Sequence, residues 1–189
     1  MKKLLAVLSA AMLFSCGGNN QKSTLLSGSF QNHQGVVAEL TYMNEYINND
    51  RVVLGIEPDE SGNFAIDIPV FEPVFATLRL GRQQLPLFLS PGAELGISLD
   101  ALNPSETIVF SGKGANPNDF LHAWQRELET VAGDGVIYER MITANPNAFA
   151  AFIDSITHVK TAFLHTWNKD RLLDDDFRNL IELRIRYEG

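Results

Sequence analysis

The sequence predicts an α+β fold: an antiparallel β-sandwich or partly open barrel of about eight strands, followed by an α-helical segment of about three helices. Three observations predict it. Between Leu25 and Phe110, apolar residues come in short or alternating runs broken by Gly, Pro, Asn and Asp, at the spacing of antiparallel strands. After Gly114 the apolar period lengthens to that of a helix. The change is abrupt, near Ser111-Gly112, and neither half repeats internally.

The strands are expected at Leu25–Phe30, Val36–Met43, Arg51–Glu57, Asn63–Ile68, Val74–Leu80, Gln84–Leu89, Glu94–Leu99 and Glu106–Phe110. Between the third and fourth, Pro58-Asp59-Glu60-Ser61-Gly62 combines a fixed φ, side chains that bond nearby backbone and a residue free to take positive φ. A hairpin connection is the expectation there. Phe64, Ile66 and Ile68 alternate with Ala65 and Asp67, so one face of that strand buries while the other stays wet. Pro69 and Pro73 cannot donate ladder hydrogen bonds and mark a strand crossing or an edge, and Pro91-Gly92 marks another break.

In the second half, Asn116 is expected to cap a helix over Pro117–Val131, with Phe120, Leu121, Trp124, Leu128 and Val131 on one face. Asn145-Pro146 repeats the start signal ahead of the longest helix, whose stripe runs Phe149, Phe152, Ile153, Ile156, Val159, Phe163, Leu164, Trp167. Asp174, Asp175 and Asp176 suit the positive end of a third helix carrying Phe177, Leu180, Ile181 and Arg184.

The N-terminus reads as a targeting segment. Lys2 and Lys3 precede an uncharged run from Leu4 to Phe14, which at about 1.5 Å per residue covers roughly half of a hydrocarbon core near 30 Å. Residues 1–15 are therefore expected to be a signal peptide. Leu13-Phe14-Ser15-Cys16 resembles the lipobox of bacterial lipoproteins, with Phe14 bulkier than usual, and implies cleavage before Cys16 and lipid on that thiol. Cys16 is the one cysteine, so no internal disulfide and no CxxC pair can form. Residues 16–24 read as lipidated cysteine plus a small, polar tether. Gly17, not Asp, follows the cysteine, which in lipoproteins resembles release to the outer membrane, here on its periplasmic face.

Without Lys2 and Lys3, 13 basic and 23 acidic residues leave a net charge of −10. That balance, with no basic stripe, argues against nucleic acid as a partner. No GxSxG, HExxH, Walker loop or strand-to-helix GxGxxG occurs. Gly112-Lys113-Gly114 lacks the Ser or Thr that a phosphate loop needs and reads as a turn. Asp154 and His158, four apart on a helix, suit surface pairing better than metal binding, and Asp174–Asp176 suit helix capping better than calcium. No catalytic residue, cofactor or metal site is assigned. Trp124 and Trp167 are candidates for a ligand groove, set against core packing with the Phe and Leu residues of their stripes.

Leu26-Ser27-Gly28-Ser29-Phe30, Asp59-Glu60-Ser61-Gly62-Asn63-Phe64, Leu87-Phe88-Leu89-Ser90-Pro91-Gly92 and Phe110-Ser111-Gly112-Lys113-Gly114-Ala115-Asn116, in this order behind a lipobox, carry a resemblance. They resemble the N-terminal accessory region of lipoprotein thiol-disulfide oxidoreductases of the TlpA/ResA-like thioredoxin family. The resemblance covers Leu25 to Asn118; the helices match by position. It implies a β-rich accessory domain over 25–114, a helical region over 115–189 and then a thioredoxin-like domain. The family's redox CxxC has no counterpart after Cys16, so the chain is expected to be the non-catalytic part, positioning substrates or binding a partner. A free-standing envelope lipoprotein that recognises a protein or glycan is the alternative.

Overall fold

The computed structural model describes residues 23–43 and 50–187. The expected signal peptide, Cys16 and most of the tether lie outside the described residues. Eight strands form two four-stranded sheets. Sheet A contains β4 (Asn63–Ile68), β1 (Thr24–Gln31), β7 (Glu94–Asp100) and β8 (Val109–Ser111), in that spatial order. Sheet B contains β3 (Arg51–Ile56), β2 (Ala38–Met43), β5 (Val74–Leu80) and β6 (Gln83–Leu89). The expected sandwich is present and mostly antiparallel, except that β1 and β7 run parallel.

Alternation builds the sandwich interior. Leu26 and Phe30 of β1, Leu40 and Tyr42 of β2, Leu78 and Leu80 of β5, Leu85 and Leu87 of β6, and Leu95 and Ile97 of β7 all point inward and are at most 2% exposed. A side chain of this size contributes about 1.5–3 kcal/mol when fully buried, so this interior dominates stability. Gly28 is fixed by close approach: a Cβ there would lie 1.7 Å from the carbonyl oxygen of Ile97 on the parallel neighbour. Thr24, expected at the end of the tether, is fully buried as the first residue of β1, its hydroxyl donating to the Ser90 carbonyl at 2.6 Å.

The Pro58–Gly62 turn has the expected chemistry and an unexpected partner. Asp59 accepts from the Ser61 and Asn63 amides at 2.9 and 2.8 Å, and Gly62 sits at φ 85°. The Asn63 amide is the largest cause holding the Asp59 carboxyl below its ordinary range. Yet β3 belongs to sheet B and β4 to sheet A, so the connection crosses between sheets and is no hairpin. Pro69–Pro73 crosses back, as the prolines suggest, with Val70 buried and Phe71 exposed.

The region expected to be a strand from Glu106 to Phe110 is divided. A one-turn helix, α1 (Pro104–Thr107), precedes β8, because Pro104 stands in its first turn and the Thr107 hydroxyl donates to the Asn103 carbonyl at 2.7 Å.

Four longer helices follow: α2 (Ala115–Ala132), α3 (Asp134–Thr143), α4 (Pro146–Asp170) and α5 (Asp175–Tyr187). Three were expected, and α3 is the addition; it contains no buried residue, so no apolar stripe announces it. Asn145 caps α4 by accepting from the Ala148 amide, and Asp174 caps α5 by accepting from the Phe177 amide. Asn116 does not cap. α2 begins two residues earlier than expected, at Ala115, and the Asn116 side chain instead donates to the Leu172 carbonyl at 2.9 Å.

The helices pack on the outer face of sheet B. Phe75 and Phe88 project from that face into a second core of Phe120, Leu121, Trp124, Leu164, Phe177 and Ile181. Rings meet there edge-on, with Phe88–Phe177 at 4.8 Å and Phe120–Phe177 at 5.4 Å between centroids. Asn118, fully buried in α2, accepts from the Phe88 amide at 2.8 Å and donates to the Phe88 and Gly114 carbonyls at 2.9 and 2.8 Å. Its side chain thus takes the place of a neighbouring strand along part of the β6 edge.

Candidate functional site

Because the helical layer meets sheet B at the Phe75–Phe88 end, the rest of the outer face of β5 and β6 is left to line a cleft. Its volume is about 730 Å³. Thr77, Gln84 and Pro86 form the sheet wall; Leu121, Trp124, Gln125, Leu128 and Glu129 of α2 form the opposite wall; Lys160 and Arg184 close it from α4 and α5. Residues 132–136, the junction of α2 and α3, complete the rim. Thr77 and Pro86 are cross-strand partners on the outward-facing side of the β5–β6 ladder, which explains their place here.

The chemistry inside is mixed. Trp124 is 5% exposed, and its indole Nε1 is buried without a hydrogen-bond partner among the described residues. Lys160, 8% exposed, holds its ammonium 5.9 Å from the Trp124 ring centroid. The Arg184 guanidinium lies 5.0 Å from the Phe75 centroid. Both distances fit cation–π attraction. Gln84, Gln125 and Thr77 offer neutral donors and acceptors, and Glu129 and Asp134 bring carboxylates to the rim. An aromatic wall with a few convergent polar and cationic groups is the usual constitution of a ligand site.

The two candidate tryptophans do not share one groove. Trp124 stands in the cleft wall. Trp167 packs against Phe163 at 5.9 Å and Phe120 at 5.6 Å, under the guanidinium of Arg171 at 5.1 Å, and its Nε1 donates to Asn116 Oδ1 at 3.4 Å. That is core packing closed by one hydrogen bond. Cys16 lies outside the described residues. Asp154 and His158 are both on the exposed face of α4. Gly112-Lys113-Gly114 is a turn, with Gly112 at φ 81° and the Gly114 amide donating to the Glu94 carbonyl at 3.2 Å.

Lys160 escaped the sequence reading although it carried a signal. It falls between Ile156 and Leu164 at four-residue intervals, a cation within the buried stripe of α4. Outside the cleft lining, on α2, burial pushes the Asp119 carboxyl up and the His122 imidazole down from their ordinary ranges. Arg171 stands 3.6 Å from Asp119 and partly opposes its shift.

Among the described residues, no group of three or more His, Cys, Asp or Glu could hold a metal ion, and no helix is long and apolar enough to cross a membrane. No family model matches the chain, and no curated protein matches it in sequence. Among solved structures it is similar to the crystal structure of a "putative cell adhesion protein" from Bacteroides ovatus, at 10% identity and a TM-score of 0.29. The match covers 48% of this chain and spans 42% of that one.

Proposed function

We propose that the chain is a lipid-anchored protein of the bacterial cell envelope whose folded body is a non-catalytic accessory module. It binds a substrate or partner in the cleft and presents it to a thioredoxin-like domain. The cleft is the observation that carries this reading: at about 730 Å³ it falls within the range of small-molecule and peptide-side-chain sites. Its walls come from both the sheet and the helices, so an occupant would also brace the two layers against each other. Lipid on Cys16 supplies the anchor, since two or more acyl chains hold a protein stably on a bilayer.

A second reading, a free-standing lipoprotein that binds a protein or glycan, draws on the Trp124 ring beside the Gln84 and Gln125 amides. Aromatic faces and amides together suit sugar rings as well as peptides.

The test is site-specific photocrosslinking of the full chain in a bacterial envelope. A photoreactive residue at Gln125, in the cleft, is expected to yield a discrete adduct, and one at Ser98, on the exposed face of sheet A, none. An adduct with a thiol-disulfide enzyme or its substrate supports the accessory role; an adduct with another protein or a glycan selects the second reading. Equal labelling from both positions, or none, removes both. Independently, Cys16→Ser is expected to move the protein from the membrane to the soluble fraction, and unchanged membrane retention would sink the lipid anchor.

A further inference from the structure

The two edges of sheet B are finished differently. β6 is covered at Phe88 by the Asn118 side chain, which occupies both backbone groups of that residue. β3, at the other edge, pairs only with β2 among the described residues. A free strand edge is a template for another strand, and proteins ordinarily blunt it with proline, inward charges or a bulge. Arg51–Ile56 has neither proline nor an inward charge.

We infer that β3 is a self-association edge, pairing antiparallel with β3 of a second copy of this chain about a two-fold axis at Leu54. Three features of the strand point to a second copy as occupant. In that register Arg51 lies opposite Glu57 of the second copy, and by symmetry the pair occurs twice. Both side chains are exposed, and neither makes a hydrogen bond or ion pair within the chain among the described residues. Next, Val53, 51% exposed on the outward-facing side, lies opposite Gly55, where an added Cβ would meet nothing within 4 Å. Finally, Val52 and Leu54 are partly buried against the sandwich interior, and pairing Leu54 with Leu54 and Val52 with Ile56 continues that interior across the seam.

The register is specific. A slip of one residue turns every side chain to the wrong face. A slip of two sets Arg51 against Gly55 in one direction and Val53 against Glu57 in the other. The remaining edges lack this self-complementarity: β4 carries no cation, and β8 has three residues. The product is a continuous eight-stranded sheet made of two copies of sheet B, joined by an isologous contact.

The test uses the full chain, with the unmutated protein as control for crosslinks through Cys16. Opposite residues in an antiparallel pair have Cα atoms about 4.5–5.5 Å apart, within disulfide reach. Leu54→Cys is therefore expected to give a disulfide-linked dimer on mild oxidation, and Val52→Cys, which faces Ile56, at least about fivefold less. Arg51→Glu and Glu57→Arg are each expected to weaken dimerisation about fivefold in sedimentation of the cysteine-unmodified chain, and the double exchange to restore it to within about twofold. Because both charges are exposed, these variants leave the fold intact. A chain that sediments as a monomer at about 50 μM, equal crosslinking from positions 52 and 54, or a double exchange that fails to restore association would each overturn the inference.

Discussion

The sandwich interior and the layer between sheet B and the helices are both apolar, but they are built by different rules. The interior takes every second residue of each strand, mostly Leu and Ile, and the intervening residues face outward. The second core takes its sheet contribution from residues that alternation assigns to solvent: Phe75, between Val74 and Ala76, and Phe88, between Leu87 and Leu89. One end of β5 and β6 is therefore buried on both faces. The sandwich interior is closed by residues of the strands and their connections, whereas the second core is built mostly from α2, α4 and α5 and takes Phe75 and Phe88 from the sheet.

Gly28→Ala strikes the first region. The new Cβ would stand 1.7 Å from the Ile97 carbonyl oxygen, so β1 and β7 must separate. A cost of about 3 kcal/mol or more is expected, a large fraction of ordinary domain stability, and both layers should melt together. Thermal melts followed by near- and far-ultraviolet dichroism check this; a melting point within a degree or two of the parent would contradict it.

Asn118→Ala strikes the second. It leaves the Phe88 N–H and C=O and the Gly114 carbonyl without their buried partner, at a cost of about 2–3 kcal/mol. The loss falls on the seam between α2 and β6. Hydrogen exchange is expected to quicken in the first turns of α2 and at Phe88 while the amides of β1 and β7 keep their protection. Uniform acceleration through the whole chain would mean the two regions form one cooperative unit.

Legibility in the sequence follows the same division. Elements set by local chemistry were readable: the Asp59 turn, the Asn145 and Asp174 caps, the alternation of Phe64, Ile66 and Ile68. What depends on the partner was not. The turn at Pro58–Gly62 suits a hairpin or a crossing equally, and only the packing of two sheets decides between them. Asn116 has the composition of a cap, but Leu172 and Trp167 claim its side chain. Of the site, Trp124 was a candidate from sequence; its separation from Trp167 was invisible, because both belong to apolar helical stripes and only three-dimensional packing puts one beside a cleft and the other on Phe120.

The smallest expected effect comes from His122, where α2 passes over β8 and the ring meets Phe110 edge-on at 6.4 Å. Burial first, then Arg126, lowers the His122 pKa, while Asp119 raises it in part. A folded-state value below the unfolded one means the native protein resists a proton that the unfolded chain accepts. The contribution of this residue is thus fully present above the unfolded pKa near 6.5 and is lost as pH falls through the folded value. Asp119 acts in the opposite sense at lower pH: burial raises its pKa, so the folded state holds a proton more readily and stability from this group grows as pH falls toward 3.8. Both groups are partly exposed, so solvent screening keeps each effect small. His122→Gln is therefore expected to flatten the decline in urea midpoint as pH falls below about 6.5 without changing the midpoint near pH 8. A decline of unaltered slope would place the acid sensitivity elsewhere than the contact of α2 with β8.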